Sequence, residues 1–334
     1  MLSRVYHVDK KYKSMMGPQS TNEFHLGDPA KNELVWVTGY EAVMVGADGK
    51  RPMPQEFMCH SNLDIDPMAH RDAVTAEPGI SGRLFTLSQG QFSIRFPEGF
   101  GVPVRSSEPF SLTTQVLNLN HSPADFKVRH KVTVHYIKDS EAPQKMKALF
   151  QKSAYGLALI EGQDGHFGAS QDKAGHGEHG EGTGCLAREN ASDHTYDDGI
   201  GRTFTGHWVV KPGREVNRTD VTKILALPYD STVHYIAVHL HPLAQSLSLI
   251  DKTTGKAVFV SQAKNASGKL GLEEVQAFSS VEGIKLHASH SYELVSVYEN
   301  TTKEDQDSMA VMYLYLADRR FDPAVVNPPA QTSP

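Results

Sequence analysis

A chain of 334 residues with 39% hydrophobic and 22% charged residues has the composition of an ordinary soluble protein. Its length leaves room for two cores of about 150 residues each. The net charge of -6 argues against nucleic acid or an anionic membrane as the main partner, and only two cysteines, Cys59 and Cys185, exclude a disulfide scaffold. No run approaches the ~18 apolar residues of a membrane span.

The start, MLSRVYHVDKKYK, lacks the apolar stretch of a secretion signal. Short segments rich in Val, Ile, Thr, Tyr and Phe then recur between turn-forming clusters. In the first half they are 33–45 (ELVWVTGYEAVMV), 91–97 (QFSIRFP), 110–120 (FSLTTQVLNLN) and 126–137 (FKVRHKVTVHYI). Asp64 and Asp66, in LDIDP, read as turn residues rather than a carboxylate pair. The best helical candidate is 141–154, EAPQKMKALFQKSA. Residues 162–206 are Gly- and His-rich with no periodicity and read as a long loop insertion, carrying His166, His176, His179, Cys185 and His194, with His207 just beyond. The second half offers strands at 234–241, 257–261, 292–300 and 309–317, and 323–334 reads as a disordered tail. Many short strands with few helical patterns predict an all-β chain: two antiparallel β-sandwich (jelly-roll-like) domains, near 20–140 and 145–322.

The 17 histidines are the compositional anomaly, and two of them sit in the run HYIAVHLH. Side chains alternate along a strand, so Ile236, Val238 and Leu240 share one face, read as the core face. Tyr235, Ala237, His239 and His241 share the other. The two imidazoles are then roughly 6.6 Å apart at the backbone, close enough for their nitrogens to converge on one Cu, Zn, Fe or Ni ion. A lone His-x-His also occurs by chance on sheet surfaces. A third donor is available in DSMAVMYLYL, where Met309, Val311, Tyr313 and Tyr315 share a face; a thioether selects copper, especially Cu(I), over zinc.

The run WVVKPGREVNRTDVTKILALPYDSTVHYIAVHLH (208–241), followed by the later D-x-M element, resembles the second half of the copper type II, ascorbate-dependent monooxygenases, the peptidylglycine α-hydroxylating and dopamine β-monooxygenase family. The resemblance implies that His239, His241 and Met309 hold the O₂-binding copper. In the first half, EFMCHSNLDID resembles the segment with two adjacent histidines of the family's electron-transfer copper, and here only His60 is kept. VLNLNHS resembles the strand carrying that site's third histidine, and here Asn120 takes the place with His121 beside it. His60 and His121, with Cys59, His130 or His135, are the remaining candidates for that second site. The family's substrate-gripping arginine is replaced by Ala237 and its asparagine by Val311, while its tyrosine is kept as Tyr313, expected to line the pocket. Without the arginine, a peptide carboxylate is a poor substrate, because a buried carboxylate without a partner is costly.

The expectation is therefore a copper-dependent monooxygenase acting on a small-molecule substrate with an external reductant such as ascorbate. The alternative is a non-catalytic copper protein that stores, delivers or senses the metal at one site. Copper handling points to a periplasmic or secreted setting.

Overall fold

Period-two alternation and β-branched content make strands of nearly every segment that has a regular structure. The computed structural model describes residues 1–75, 77, 79–161, 167, 195–197 and 201–326. The first half contains β1 (Tyr6–Val8), β2 (Gln19–Phe24), β3 (Leu34–Gly46), β4 (Met58–Asp64) and β5 (Arg83–Leu87). It continues with β6 (Ser93–Arg95), β7 (Phe100–Arg105), β8 (Phe110–Val116) and β9 (Phe126–Lys138). The second half opens with β10 (Lys147–Tyr155), β11 (Ala158–Glu161), β12 (Thr195–Asp197), β13 (Thr203–Thr205) and β14 (Trp208–Val210). Then come β15 (Gly213–Asp220), β16 (Ser231–Leu240), β17 (Ala244–Asp251), β18 (Lys256–Asn265) and β19 (Leu272–Val275). The last strands are β20 (Phe278–Leu286), β21 (Tyr292–Asn300), β22 (Gln306–Ser308) and β23 (Ala310–Ala317).

The chain is all-β, with antiparallel sheets packed face to face. One nine-stranded sheet runs through both halves in the order β1-β9-β3-β7-β10-β23-β16-β20, with β6 paired to β3. The halves join where β7 and β10 pair in parallel, Phe100 opposite Lys147 and Gly101 opposite Ala148. A four-stranded sheet, β2-β8-β4-β5, covers the first-half part of this sheet, and a five-stranded one, β15-β21-β17-β18-β19, covers the second-half part. Each pairing encloses a core. The first is built around Tyr40, Phe57, Phe85, Phe110 and Val132, the second around Phe150, Val238, Leu249, Leu294 and Leu314.

The central strands β16 and β23 are buried on both faces. Val233, Ile236, Val238 and Leu240 enter the second core, with Met312, Leu314 and Leu316 from β23. Tyr235, Ala237, Val311, Tyr313 and Tyr315 enter the first. The face opposite Ile236, Val238 and Leu240 is thus packed as well, through Tyr235 and Ala237.

Three expectations are corrected. Residues 141–154 are not a helix: after a 3-10 turn at Asp139–Glu141, Lys147–Tyr155 form β10, paired with β23 from Leu149↔Ala317 to Tyr155↔Val311. Leu149 and Phe150 face opposite cores, which a strand satisfies. Within 162–206, Thr203–Thr205 pairs with Ala158–Glu161 on one side and with Thr195–Asp197 on the other, forming a small three-stranded sheet; His166, His176, His179, Cys185 and His194 lie outside the described residues. The expected tail begins with a helical turn, Pro323–Val326, whose Val326 packs with Leu34, Trp36 and Ala148. Asp66 caps a short helix, α1 (Pro67–Ala73), by accepting from the backbone N–H of Met68 and Ala69.

His130 on β9 is fully buried with its ring edge-on to Tyr6, and neither ring nitrogen has a hydrogen-bond partner. Burial pulls its pKa down to about 3. The unfolded chain takes up this proton below the ordinary value of 6.5 while the fold refuses it, so stability is lost as pH falls from about 6.5 towards 3. His130→Leu removes both the unpaired nitrogens, worth about 1–3 kcal/mol, and this acid-linked loss. The expected outcome is an acid-unfolding midpoint at lower pH, measured by circular dichroism.

Candidate metal centre

The site forms where β16 leaves the core. Antiparallel partners directly opposite each other point to the same side of the sheet. The β16–β23 register pairs Ala237 with Tyr313, His239 with Val311 and Leu240 with Ala310. One residue further on, where pairing stops, Met309 comes opposite His241. Pro242 has no N–H to continue the ladder. His239, His241, Met309 and Tyr313 consequently share the wall of one cavity of about 560 Å³, together with His60, Cys59 and His207.

Both imidazoles are held from behind. His241 Nδ1 lies 3.2 Å from the Asp307 carbonyl. A carbonyl only accepts, so Nδ1 carries the hydrogen and Nε2 keeps the lone pair. Ser14 Oγ stands 3.4 Å from that Nε2. His239 Nδ1 is 2.9 Å from Ser88 Oγ. The two rings are 5.3 Å apart and nearly perpendicular.

Burial, reinforced by His60, Arg83 and His207, lowers the His239 pKa to about 3. Burial, with His239 and His207 nearby, holds His241 well below its ordinary value. Burial and the neighbouring Arg83, His130 and His241 bring His60 to about 3. All three rings are therefore neutral, the form a metal requires. Burial raises the Cys59 thiol to about 11, so it is not a ready thiolate ligand.

Among the described residues, no three His, Cys, Asp or Glu side chains gather closely enough to hold a metal ion by themselves. The His207 ring lies 5.5 Å from that of His241. A three-donor set at the His239–His241 pair accordingly needs the Met309 thioether.

His121 is not brought to this cavity. Its Nε2 is 2.8 Å from Glu56 Oε1, and Lys269 pairs with the same carboxylate. Asn120 donates to the Leu270 carbonyl at 2.8 Å and accepts from the Leu270 N–H at 3.0 Å. Asn120 and Glu56 thus tie the first half to the turn before β19. His135 lies 3.6 Å from Glu41, and His130 is buried against Tyr6.

Sequence reasoning missed the supports of the site. The turn Ser88-Gln89-Gly90-Gln91 reaches from the first half onto β16 and β19. Besides Ser88 on His239, Gln91 Oε1 accepts from Val238 N–H at 2.9 Å, Gln89 Oε1 from Leu272 N–H at 3.2 Å, and the Gly90 carbonyl from Val275 N–H at 3.0 Å. Gly90 has φ +83°, and a Cβ there would stand 2.8 Å from Val275 Cγ2. The Gly-containing turn was a visible signal, but its target was not. Tyr298 had no signal beyond being a strand tyrosine. Its phenol accepts from His241 N–H at 3.3 Å and donates to the Met309 carbonyl at 2.6 Å, pinning two donor residues at once.

No known protein family matches this chain, and no curated protein does. Among solved structures, a chain described as "Putative membrane anchored protein from Corynebacterium diphtheriae" aligns over 94% of this chain and 87% of its own, at 10% identity and a TM-score of 0.20. A likeness that low says nothing about fold or function here. No helix among the described residues is long and apolar enough to cross a membrane.

Removing the Tyr298 hydroxyl frees the strand ends that carry His241 and Met309. Tyr298→Phe is expected to lower the affinity for any metal ion taken up by His241 and Met309 about 10–100-fold, as loss of an outer hydrogen bond does at other metal sites. Competition titration against a chelator measures this, with an unchanged far-UV spectrum as the control.

Proposed function

We propose that His239, His241 and Met309 hold one copper ion and that the protein is a copper-dependent monooxygenase drawing on an external reductant such as ascorbate. The observation that carries this reading is two neutral imidazoles and a thioether lining one cavity, with His241 anchored through Nδ1 so that Nε2 keeps its lone pair on the side of Ser14, whose hydroxyl is 3.4 Å away. Two nitrogens and a soft sulfur suit copper, above all Cu(I), better than zinc or a hard cation. Copper bound there supplies the one-electron redox chemistry by which O₂ is activated.

The overall reaction would convert R–H, O₂, two electrons and two protons into R–OH and water, both electrons coming from the reductant. The chain's own contribution is positioning. Ser88 and the Asp307 carbonyl fix the ring planes, and Tyr298 fixes the backbone of His241 and Met309. Tyr313, opposite Ala237 on the same wall, stands where a substrate would pass. Ala237 presents no cation, in keeping with a substrate that has no carboxylate to be gripped.

The alternative, a single-site protein that stores, delivers or senses copper, is favoured by one observation. His121 is committed to Glu56 rather than gathered with His60, so the described residues offer no assembled second site for electron transfer. An external reductant must then reach the cavity itself.

Copper stoichiometry with Cu(II) EPR tests the metal site. One copper per chain is expected in the wild type, lost in His239→Ala and retained in His121→Ala. Ascorbate-dependent O₂ consumption by the copper-loaded protein separates the two readings. Its presence only with a substrate supports the monooxygenase, and tight copper without it leaves the handling protein. A wild type that binds no copper contradicts both.

A further inference from the structure

The wall facing the histidines has a composition that the metal reading does not use. Across the sheet β2-β8-β4-β5, the register aligns Thr21, Thr113, Asn62 and Thr86 in one row. The next row is Glu23, Ser111, Asp64 and Arg83. The opposite face of these strands carries Leu63, Phe85, Phe110 and Leu112 into the core. A sheet with one apolar and one polar face commonly turns the polar face to water. Here its β4–β5 side is buried instead, Asn62, Thr86 and Arg83 being 6%, 5% and 8% exposed, while Thr113 is half-buried and Thr21 exposed. Thr21, Thr113, Asn62, Thr86, Ser111 and Arg83 line the same cavity as His239, His241 and Met309.

Two features of this wall point to a ligand. Asn62 Oδ1 is buried with no hydrogen-bond partner, whereas a buried amide oxygen is ordinarily paired by protein, water or ligand. Arg83, the charged side chain of this wall that lines the cavity, is compensated. Arg83 pairs with Asp64, and its guanidinium donates to Thr86 Oγ1 at 3.2 Å. Thr21 and Thr113 hydroxyls lie 2.9 Å apart and each can both donate and accept. Most small-molecule pockets are largely apolar with a few polar groups. This wall offers rows of hydroxyl and amide groups spaced about 4.8 Å apart by the strand separation.

We propose that the polar face formed by Thr21, Thr113, Asn62 and Thr86 binds a neutral, hydroxyl-rich molecule such as a saccharide, and that this is the substrate class presented to the metal wall. The binding face stands on its own geometry; only the role of its ligand as substrate rests on the monooxygenase reading. A ligand with many hydroxyls matches groups that donate and accept alternately. An anion is disfavoured, because the one guanidinium named on this wall is already met by Asp64. The cavity volume of about 560 Å³ suits a ligand of one to three sugar units.

The test is a titration of metal-free, full-length protein followed by amide NMR shifts. The probes are glucose, N-acetylglucosamine, myo-inositol and maltotriose, with glycylglycine and hexanoate as carboxylate comparators. At least one neutral probe is expected to shift amides of β2, β4 and β8. Thr113→Val and the exposed Thr21→Val are each expected to weaken it about tenfold, the loss of one hydrogen bond. Thr21→Val keeps the test valid if the more buried substitution disturbs folding. No response to any neutral probe, a response that both variants leave unchanged, or tighter binding of a carboxylate would overturn the proposal. Metal-free protein reads the ligand class without copper, so saccharide binding with no ascorbate-dependent oxidation would sustain this face and remove the monooxygenase reading.

Discussion

The arrangement depends on the register between two strands buried on both faces. β16 and β23 lie side by side in the middle of the nine-stranded sheet, and their alternating side chains enter two different cores. A slip of one residue would turn Ile236, Val238 and Leu240 out of one core and Tyr235 and Ala237 out of the other. Packing on both sides therefore fixes the register far more firmly than the hydrogen bonds alone. That register is what sets Met309 beside His241 and Tyr313 beside Ala237.

From there the two halves share the work. The second half supplies the donors on the rim of its core, and the first half supplies the turn that braces them and the polar wall they face. Ser88 and Gln91 reach β16 from the first half, while Asn120 and Glu56, the latter also held by His121, engage Leu270 and Lys269 in the turn before β19. Displacing one half against the other would disturb ring orientation and cavity shape together. Burial that keeps the imidazoles neutral comes from both halves as well, since Arg83 and His60 of the first lie close enough to affect His239 of the second.

Local pattern made the strands legible. The segments 33–45, 126–137, 292–300 and 309–317 fall within a residue or two of β3, β9, β21 and β23. The pairing of His239 and His241 on one face, and of Met309 with Tyr313 on another strand, was visible in period-two alternation. What joins them is non-local, and only the resemblance to a copper family suggested it. Helix propensity misled at Lys147–Tyr155, where burial on both faces overrides it. His121 looked like a ligand because of its neighbours in sequence; in space its neighbours are Glu56 and the rings of Phe57 and Phe126. The polar row across β2, β8, β4 and β5 left no sequence signal, since its members come from four segments and are ordinary surface residue types.

The most direct test of the metal centre is X-ray absorption at the copper edge on the ascorbate-reduced protein, comparing wild type with Met309→Ala. The expected wild-type shell is two imidazole nitrogens and one sulfur, with the sulfur scattering gone in the variant and the imidazole signal kept. A shell of nitrogen alone, or sulfur scattering that survives Met309→Ala, would contradict a copper held by His239, His241 and Met309.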